Sequence, residues 1–178
     1  MDTLFSNVTI VTMDEAMHVY FDAYLGVTDG KISYLAREAP KEKTKRLVPG
    51  EGMVLMPGLI NCHTHIYSGL ARGLAIKGCN PTNFLENLEQ QWWKIDATLT
   101  LAGPKASAYA TILDSIRDGV TTIFDHHASF CEIPGSLFTI KDAAQELGMR
   151  SCLCYEVSDR DGEEKCLQAI QENADFIT

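Results

Sequence analysis

Apolar and polar positions change rhythm once along this chain. Over the first ~50 residues they alternate in short runs bounded by turn residues: Asn7 to Thr12 (NVTIVT), Val19 to Thr28 (VYFDAYLGVT), and Lys31 to Ala36 (KISYLA) just after the turn pair Asp29-Gly30. Period-two alternation of this kind predicts short strands joined by tight turns. The charged stretch Arg37 to Arg46 (REAPKEKTKR) is expected to be a solvated linker. Beyond it, compact apolar runs alternate with stretches of helical spacing, which predicts strand-helix repeats and a parallel sheet. VLMPGLIN is the first such run, VTTIF (Val120 to Phe124) reads as a buried β-branched strand, and MRSCLCY (Met149 to Tyr155) as the next. Asn83 to Ile95 predicts a helix, with Asn83 and Glu86 in capping-box spacing and Phe84, Leu85, Leu88 and Trp92 on one stripe. Helical spacing also runs from Thr100 to Asp118 and from Ser136 to Leu147, and Gly119 and Gly148 stand where helix-ending glycines belong. Gly162 to Thr178 begins a further helix.

Composition narrows the function classes. The chain has ample apolar material for a folded core, 46% of 178 residues, and a formal net charge of −9 spread along its length. Nothing in that distribution attracts a phosphate backbone, so nucleic acid is not an expected partner. The N-terminus carries acids where a signal peptide needs Lys or Arg, and no long apolar run suggests a membrane span. The six cysteines form no Cys-x-x-Cys pair and are expected to be reduced thiols in a cytoplasmic protein.

The candidate chemistry begins at His63 and His65. Residues i and i+2 of a strand share a face, so the two imidazoles can point at one place, with Cys62 and Thr64 turned away. That arrangement suits a borderline metal such as zinc when further ligands arrive from elsewhere. With five histidines in 178 residues, a His-x-His arises by chance in roughly one such chain in seven, so ordinary surface or core histidines are the plain alternative. Context favours ligation, because polar clusters follow each predicted strand: His63 and His65 after LIN, Asp125, His126 and His127 after VTTIF, and Glu156, Asp159 and Arg160 after SCLCY. In parallel strand-helix folds, active sites are built at that edge.

These residues carry a resemblance. MPGLINCHTHIYSGLARGLA followed by GVTTIFDHHAS resembles the amidohydrolase superfamily, in particular the aminohydrolases and chlorohydrolases of purine, pyrimidine and triazine rings. The string from Asp125 to Gly162 is still more similar to the SsnA group of aminohydrolases. The resemblance implies an α/β fold: a partial (β/α)8 TIM barrel, its first three strand-helix units in residues 55–178, preceded by a β-sandwich segment in residues 1–54. It implies that Met-Pro-Gly marks the crossing into the barrel, that His63 and His65 bind a divalent metal, zinc or else iron, and that a metal-activated water hydrolyses a carbon-nitrogen bond of a small heterocyclic substrate. A carboxylate and another histidine would then move protons to the leaving amine. Deamination is the expected reaction; release of chloride or an alkylamine at the same site, or a non-catalytic barrel fragment serving as a binding or assembly module, are the alternatives. Relatives draw a further ligand histidine, a proton-handling histidine and an aspartate from the fifth, sixth and eighth strands. The chain is therefore expected to be the N-terminal part of a longer protein, inactive alone, with its catalytic groups beyond residue 178.

Other residues have two readings each. His126 is expected to contact substrate or support the metal site, with a satisfied structural histidine as the alternative, and Asp125 to orient a metal-ligating imidazole. Glu156 either reads an exocyclic amine or pairs with Arg160. Arg72 either touches substrate or holds its loop through a salt bridge. Cys152 and Cys154 are expected to be buried thiols, and Trp92 and Trp93 to pack their helix. The His-x-Glu and Pro-Cys-x-x-Cys elements of the other zinc deaminase class are absent, as are a Walker loop, a dinucleotide glycine fingerprint, a His-Glu-x-x-His helix and a Gly-x-Ser-x-Gly elbow. Homo-oligomers are left open by the sequence.

Overall fold

In the computed structural model, which describes residues 1–178, the chain divides into two units, Met1–Pro57 and Gly58–Thr178. In the first, the alternating segments form a single five-stranded sheet. Its central strand β1 (Thr3–Val11) pairs antiparallel with β2 (Val19–Thr28), which pairs antiparallel with β3 (Lys31–Ala36). Two short strands, β4 (Arg46–Pro49) and β5 (Val54–Leu55), lie parallel to β1 on its other edge. Alternation is strict in β1, where Leu4, Ser6, Val8 and Ile10 are buried and their neighbours are not. The strand starts at Thr3, where its pairing with β2 and β4 begins, rather than at Asn7; the sequence conceals this because the buried Ser6 interrupts the apolar period. Val8, Ile10, Ala23 and Leu25 form this unit's core.

The second unit is a three-stranded parallel sheet in the order β6 (Leu59–Thr64), β7 (Val120–His127), β8 (Arg150–Tyr155). Between β6 and β7 run a 3-10 turn (Ile66–Ala71), α1 (Phe84–Asn87), a π-helical turn (Leu88–Trp92), α2 (Trp93–Asp96) and α3 (Ala102–Arg117). α4 (Ser136–Glu146) joins β7 to β8, and α5 (Glu163–Ile177) follows β8. The single helix expected over Asn83 to Ile95 is thus three pieces. Its start keeps half of the expected box: the Asn83 side chain accepts the Glu86 N–H at 3.0 Å, while the Glu86 carboxylate turns back not to Asn83 but to the Thr82 N–H, one residue earlier, at 2.7 Å.

Two glycines make the connections feasible. A Cβ on Gly58 would meet Thr121 Cγ2 at 2.2 Å, so the chain can enter β6 this close to β7 only without a side chain there. Gly119, between α3 and β7, has φ +81°, a left-handed conformation that ends a helix with little cost only for glycine.

The sheet is covered on one face only. Ile123, Leu153 and Tyr155 share a core with Ile112 of α3, Leu137 and Ile140 of α4, and Ala169 of α5. On the opposite face Ile60 and Phe124 are 59% and 43% exposed, and Cys152 and Cys154 are exposed as well. The expectation of buried thiols is therefore wrong for this chain: the alternation of β8 assigns Leu153 and Tyr155, not the cysteines, to the helix-covered side.

Candidate metal centre

The C-terminal end of β6 is irregular. Asn61 pairs with Ile123 and Thr64 with Asp125, leaving two residues between these pairs on β6 against one on β7, so β6 carries a bulge at Cys62 and His63. Bulges bend a strand and re-aim its side chains. Here His63 and His65 are both exposed, and their Nε2 atoms stand 3.1 Å apart with the rings edge to face.

The tautomer of His65 follows from its other nitrogen. Nδ1 lies 2.9 Å from the His126 carbonyl oxygen, which can only accept, so Nδ1 carries the hydrogen and the neutral ring keeps its lone pair on Nε2. Zn–N bonds of about 2.0–2.1 Å at a tetrahedral centre place two ligand nitrogens roughly 3.3 Å apart. The pair is within a few tenths of an ångström of that spacing, and imidazole nitrogen is an apt donor for zinc. No group of three or more His, Cys, Asp or Glu side chains in the chain is arranged to hold a metal ion. These residues therefore fit as two ligands of a larger set.

Asp125 is buried beside the pair but bonds to neither imidazole, contrary to expectation. Its Oδ1 accepts the Ile66 N–H at 2.6 Å and the Thr64 hydroxyl at 2.8 Å, because β7 places the carboxylate level with the backbone on either side of His65. Oδ2 is buried without a partner. Burial, opposed by those two bonds, pushes the carboxyl up to about 6. His126 is half-buried with its ring centroid 5.5 Å from that of His65; burial lowers its pKa and the Glu156 charge opposes this. His127 faces the other way, fully buried between Tyr67 and Tyr155, with Nε2 2.8 Å from Ser129 Oγ and Nδ1 unpartnered. Burial drives its pKa down to about 3.

Next to His65 opens a pocket of about 350 Å³. Tyr67, Phe84, Leu88, Trp92 and Trp93 form its walls, and Asp96 and Glu156 its polar side. Trp92 and Trp93, expected to pack their helix, instead face this space. One cation organises the acidic wall. Arg160 grips Asp96 with two nitrogens, at 2.7 and 3.4 Å, holds Glu156 at 3.1 Å, and lies over the rings of Phe130 and Trp93 at 4.2 and 5.1 Å. Burial raises the Asp96 carboxyl above its ordinary value, with the guanidinium opposing. Both readings of Glu156 are thus compatible with its position, paired and at the pocket wall. Arg72 is not brought here; it lines a separate groove with Leu70, Thr111 and Asp114. Sequence reasoning missed Tyr67 and Asp96. A signal for Asp96 existed: it lies four residues after Trp92 on the stripe of Leu88 and Trp92, and an acid on an apolar helical stripe calls for a buried partner.

Residues 54–178 match the amidohydrolase family. The chain belongs to that family. Among its amidohydrolase relatives, the 5'-deoxyadenosine deaminase of Methanosarcina mazei is 28% identical over 176 residues, 99% of this chain and 38% of that protein. The 5-methylthioadenosine/S-adenosylhomocysteine deaminase of Thermococcus kodakarensis is 33% identical over 135 residues, 74% of this chain and 29% of that protein. A mutant of atrazine chlorohydrolase TrzN from Arthrobacter aurescens TC1, complexed with zinc and atraton, superposes with a TM-score of 0.74 at 26% identity, covering 85% of this chain and 35% of its own. An adenosine deaminase from Xanthomonas campestris with bound zinc shares the fold, with a TM-score of 0.78 at 20% identity, over 98% of this chain and 39% of its own. The chain thus spans less than two fifths of the length of the curated relatives it matches.

Proposed function

We propose that this chain carries part of the active centre of a divalent-metal-dependent hydrolase of non-peptide carbon-nitrogen bonds, and that its reaction is the hydrolytic deamination of a nitrogen heterocycle. The observation that carries this reading is the convergence of His63 and His65 Nε2 at 3.1 Å, with the His65 lone pair fixed toward His63, beside a pocket walled by aromatic rings. In this reading Gly58–Thr178 is the first part of a (β/α)8 barrel and Met1–Pro57 part of a β-sandwich. Zinc is the expected metal, with iron as the other candidate; the remaining ligands and proton-transfer groups come from further strands.

What the ion supplies in such a centre is a water acidified enough to attack at neutral pH. This chain's residues do the rest of the work on this side of the site. Tyr67, Phe84, Trp92 and Trp93 offer faces to a planar ring and exclude water from it. Glu156 accepts from an exocyclic amine, and His126, whose lowered pKa favours the neutral ring, lines the neighbouring groove together with His63. A chloro- or alkylamino-heterocycle is the second reading, favoured by the likeness to TrzN. Metal analysis and a panel of purines, pyrimidines and triazines, assayed for ammonia and chloride with the protein in its natural length, test the proposal. Changing His63 or His65 to Ala should remove most of the metal and nearly all turnover; full occupancy in both variants refutes the ligand assignment.

A further inference from the structure

Neither imidazole is carried by a ladder residue: His63 lies in the bulge and His65 just past Thr64, the last paired position of the strand. The bulge at Cys62 and His63 interrupts the register between Asn61 and Thr64, and beyond Thr64 the chain leaves the sheet for a 3-10 turn. Three consecutive residues are nevertheless fixed from the neighbouring strand. Thr64 donates its hydroxyl to Asp125, His65 donates Nδ1–H to the His126 carbonyl, and Ile66 donates its N–H to Asp125, at 2.8, 2.9 and 2.6 Å. Two of these bonds end on one atom, Asp125 Oδ1. They bracket His65 from both sides.

We propose that Asp125 is the positioning residue of the His63–His65 pair: its carboxylate clamps the backbone around His65, so that the bulged strand presents both Nε2 atoms to one point. The role differs from the usual one of a carboxylate beside a metal ligand, which accepts the hydrogen of the imidazole itself. Here a backbone carbonyl serves the imidazole and the carboxylate serves the strand. Asp125 suits this because it is 4% exposed, so water does not compete for Oδ1, and because β7 sets it directly opposite Thr64. Without the clamp, residues 64–66 keep the His65 bond to the His126 carbonyl, the ladder pair at Thr64 and the longer contact of the Thr64 hydroxyl with the Phe124 carbonyl at 3.3 Å. They lose both bonds that bracket His65, which loosens the spacing of the two nitrogens.

The inference rests on His63 and His65 being metal ligands, and the test separates the two claims. In the protein at its natural length, zinc affinity is measured by competition with a chromophoric chelator, and ligand geometry by the visible bands of the cobalt-substituted form. D125A should weaken zinc binding by 10- to 100-fold and alter the cobalt bands, as loss of a supporting residue does in other metal sites. D125N, which keeps a carbonyl oxygen for the Ile66 amide, should restore the spectrum and bring affinity to within a few-fold of the parent. Should D125A fail to fold, T64V, which removes one of the two clamping bonds, should bind zinc several-fold more weakly. Parental affinity and spectrum in D125A, or in T64V where D125A does not fold, overturn the clamp. Full zinc occupancy in H63A would instead remove the reading on which it stands.

Discussion

His127 shows what position in a strand does to one residue type. It neighbours His126 in sequence, yet alternation sends it into the helix-covered core while His126 turns to the open face. Its pKa of about 3 means that the folded chain refuses a proton that the unfolded chain accepts below ~6.5. A group depressed in the folded state contributes its full stability above the unfolded value and loses it as pH falls toward the folded one. Unfolding free energy should therefore drop by about 1.4 kcal/mol per pH unit for this proton as pH decreases from ~6.5 toward 3. Asp125 titrates in the same range, so the comparison of interest is the parent with His127→Gln. Chemical denaturation at several pH values should give a shallower acid limb in that variant, and equal slopes would show that His127 is not the group responsible.

At the level of elements, the segment from α1 to α2 owes its place to Arg160. Asp96 is 1% exposed and would be an uncompensated buried charge without its partner. Removing one member of such a pair costs on the order of 3–5 kcal/mol, whereas replacing both with apolar residues of similar volume is far milder. Arg160→Met should thus destabilise strongly and speed amide hydrogen exchange across residues 84–96, with Asp96→Leu added to it recovering much of the loss. Equal destabilisation in the single and double variants would show that the pair does not hold the segment. This segment also marks where the sequence stopped being legible. Strands β2, β7 and β8 and helices α3 to α5 could be read because each hides one face and its period survives in the chain, and β3 because the turn pair Asp29-Gly30 precedes it. The break into α1, a π-helical turn and α2 could not, since the stripe of Leu85, Leu88 and Trp92 has the same spacing with or without it. β4 and β5 were hidden too: each is fixed by pairing with β1, not by a pattern of its own. In the site, His63 and His65 stood out because both donors lie in one short motif. The Asp96–Arg160 pair did not, because its members are 64 residues apart.

For the whole of the second unit, the decisive feature is a parallel sheet with helices on one side only. Parallel sheets occur almost always with both faces covered. The open face holds Ile60, Phe124 and three of the six cysteines, Cys62, Cys152 and Cys154, around a groove that also contains His63 and His126. Such an apolar face is what the inside of a closed barrel requires, which agrees with the proposed architecture.

That same face works as a chemical footprint. Cys62, Cys152 and Cys154 point into it, while Cys131 is exposed in the connection between β7 and α4, away from the groove. In the 178-residue chain all four thiols should be alkylated by a maleimide, resolved by mass spectrometry of the peptides. Wherever further chain covers the sheet, the three groove thiols should fall silent and Cys131 should go on reacting at its former rate. The cysteines that look like spare core residues in the sequence thus report, one by one, whether further chain covers the sheet at the end that carries His63 and His65.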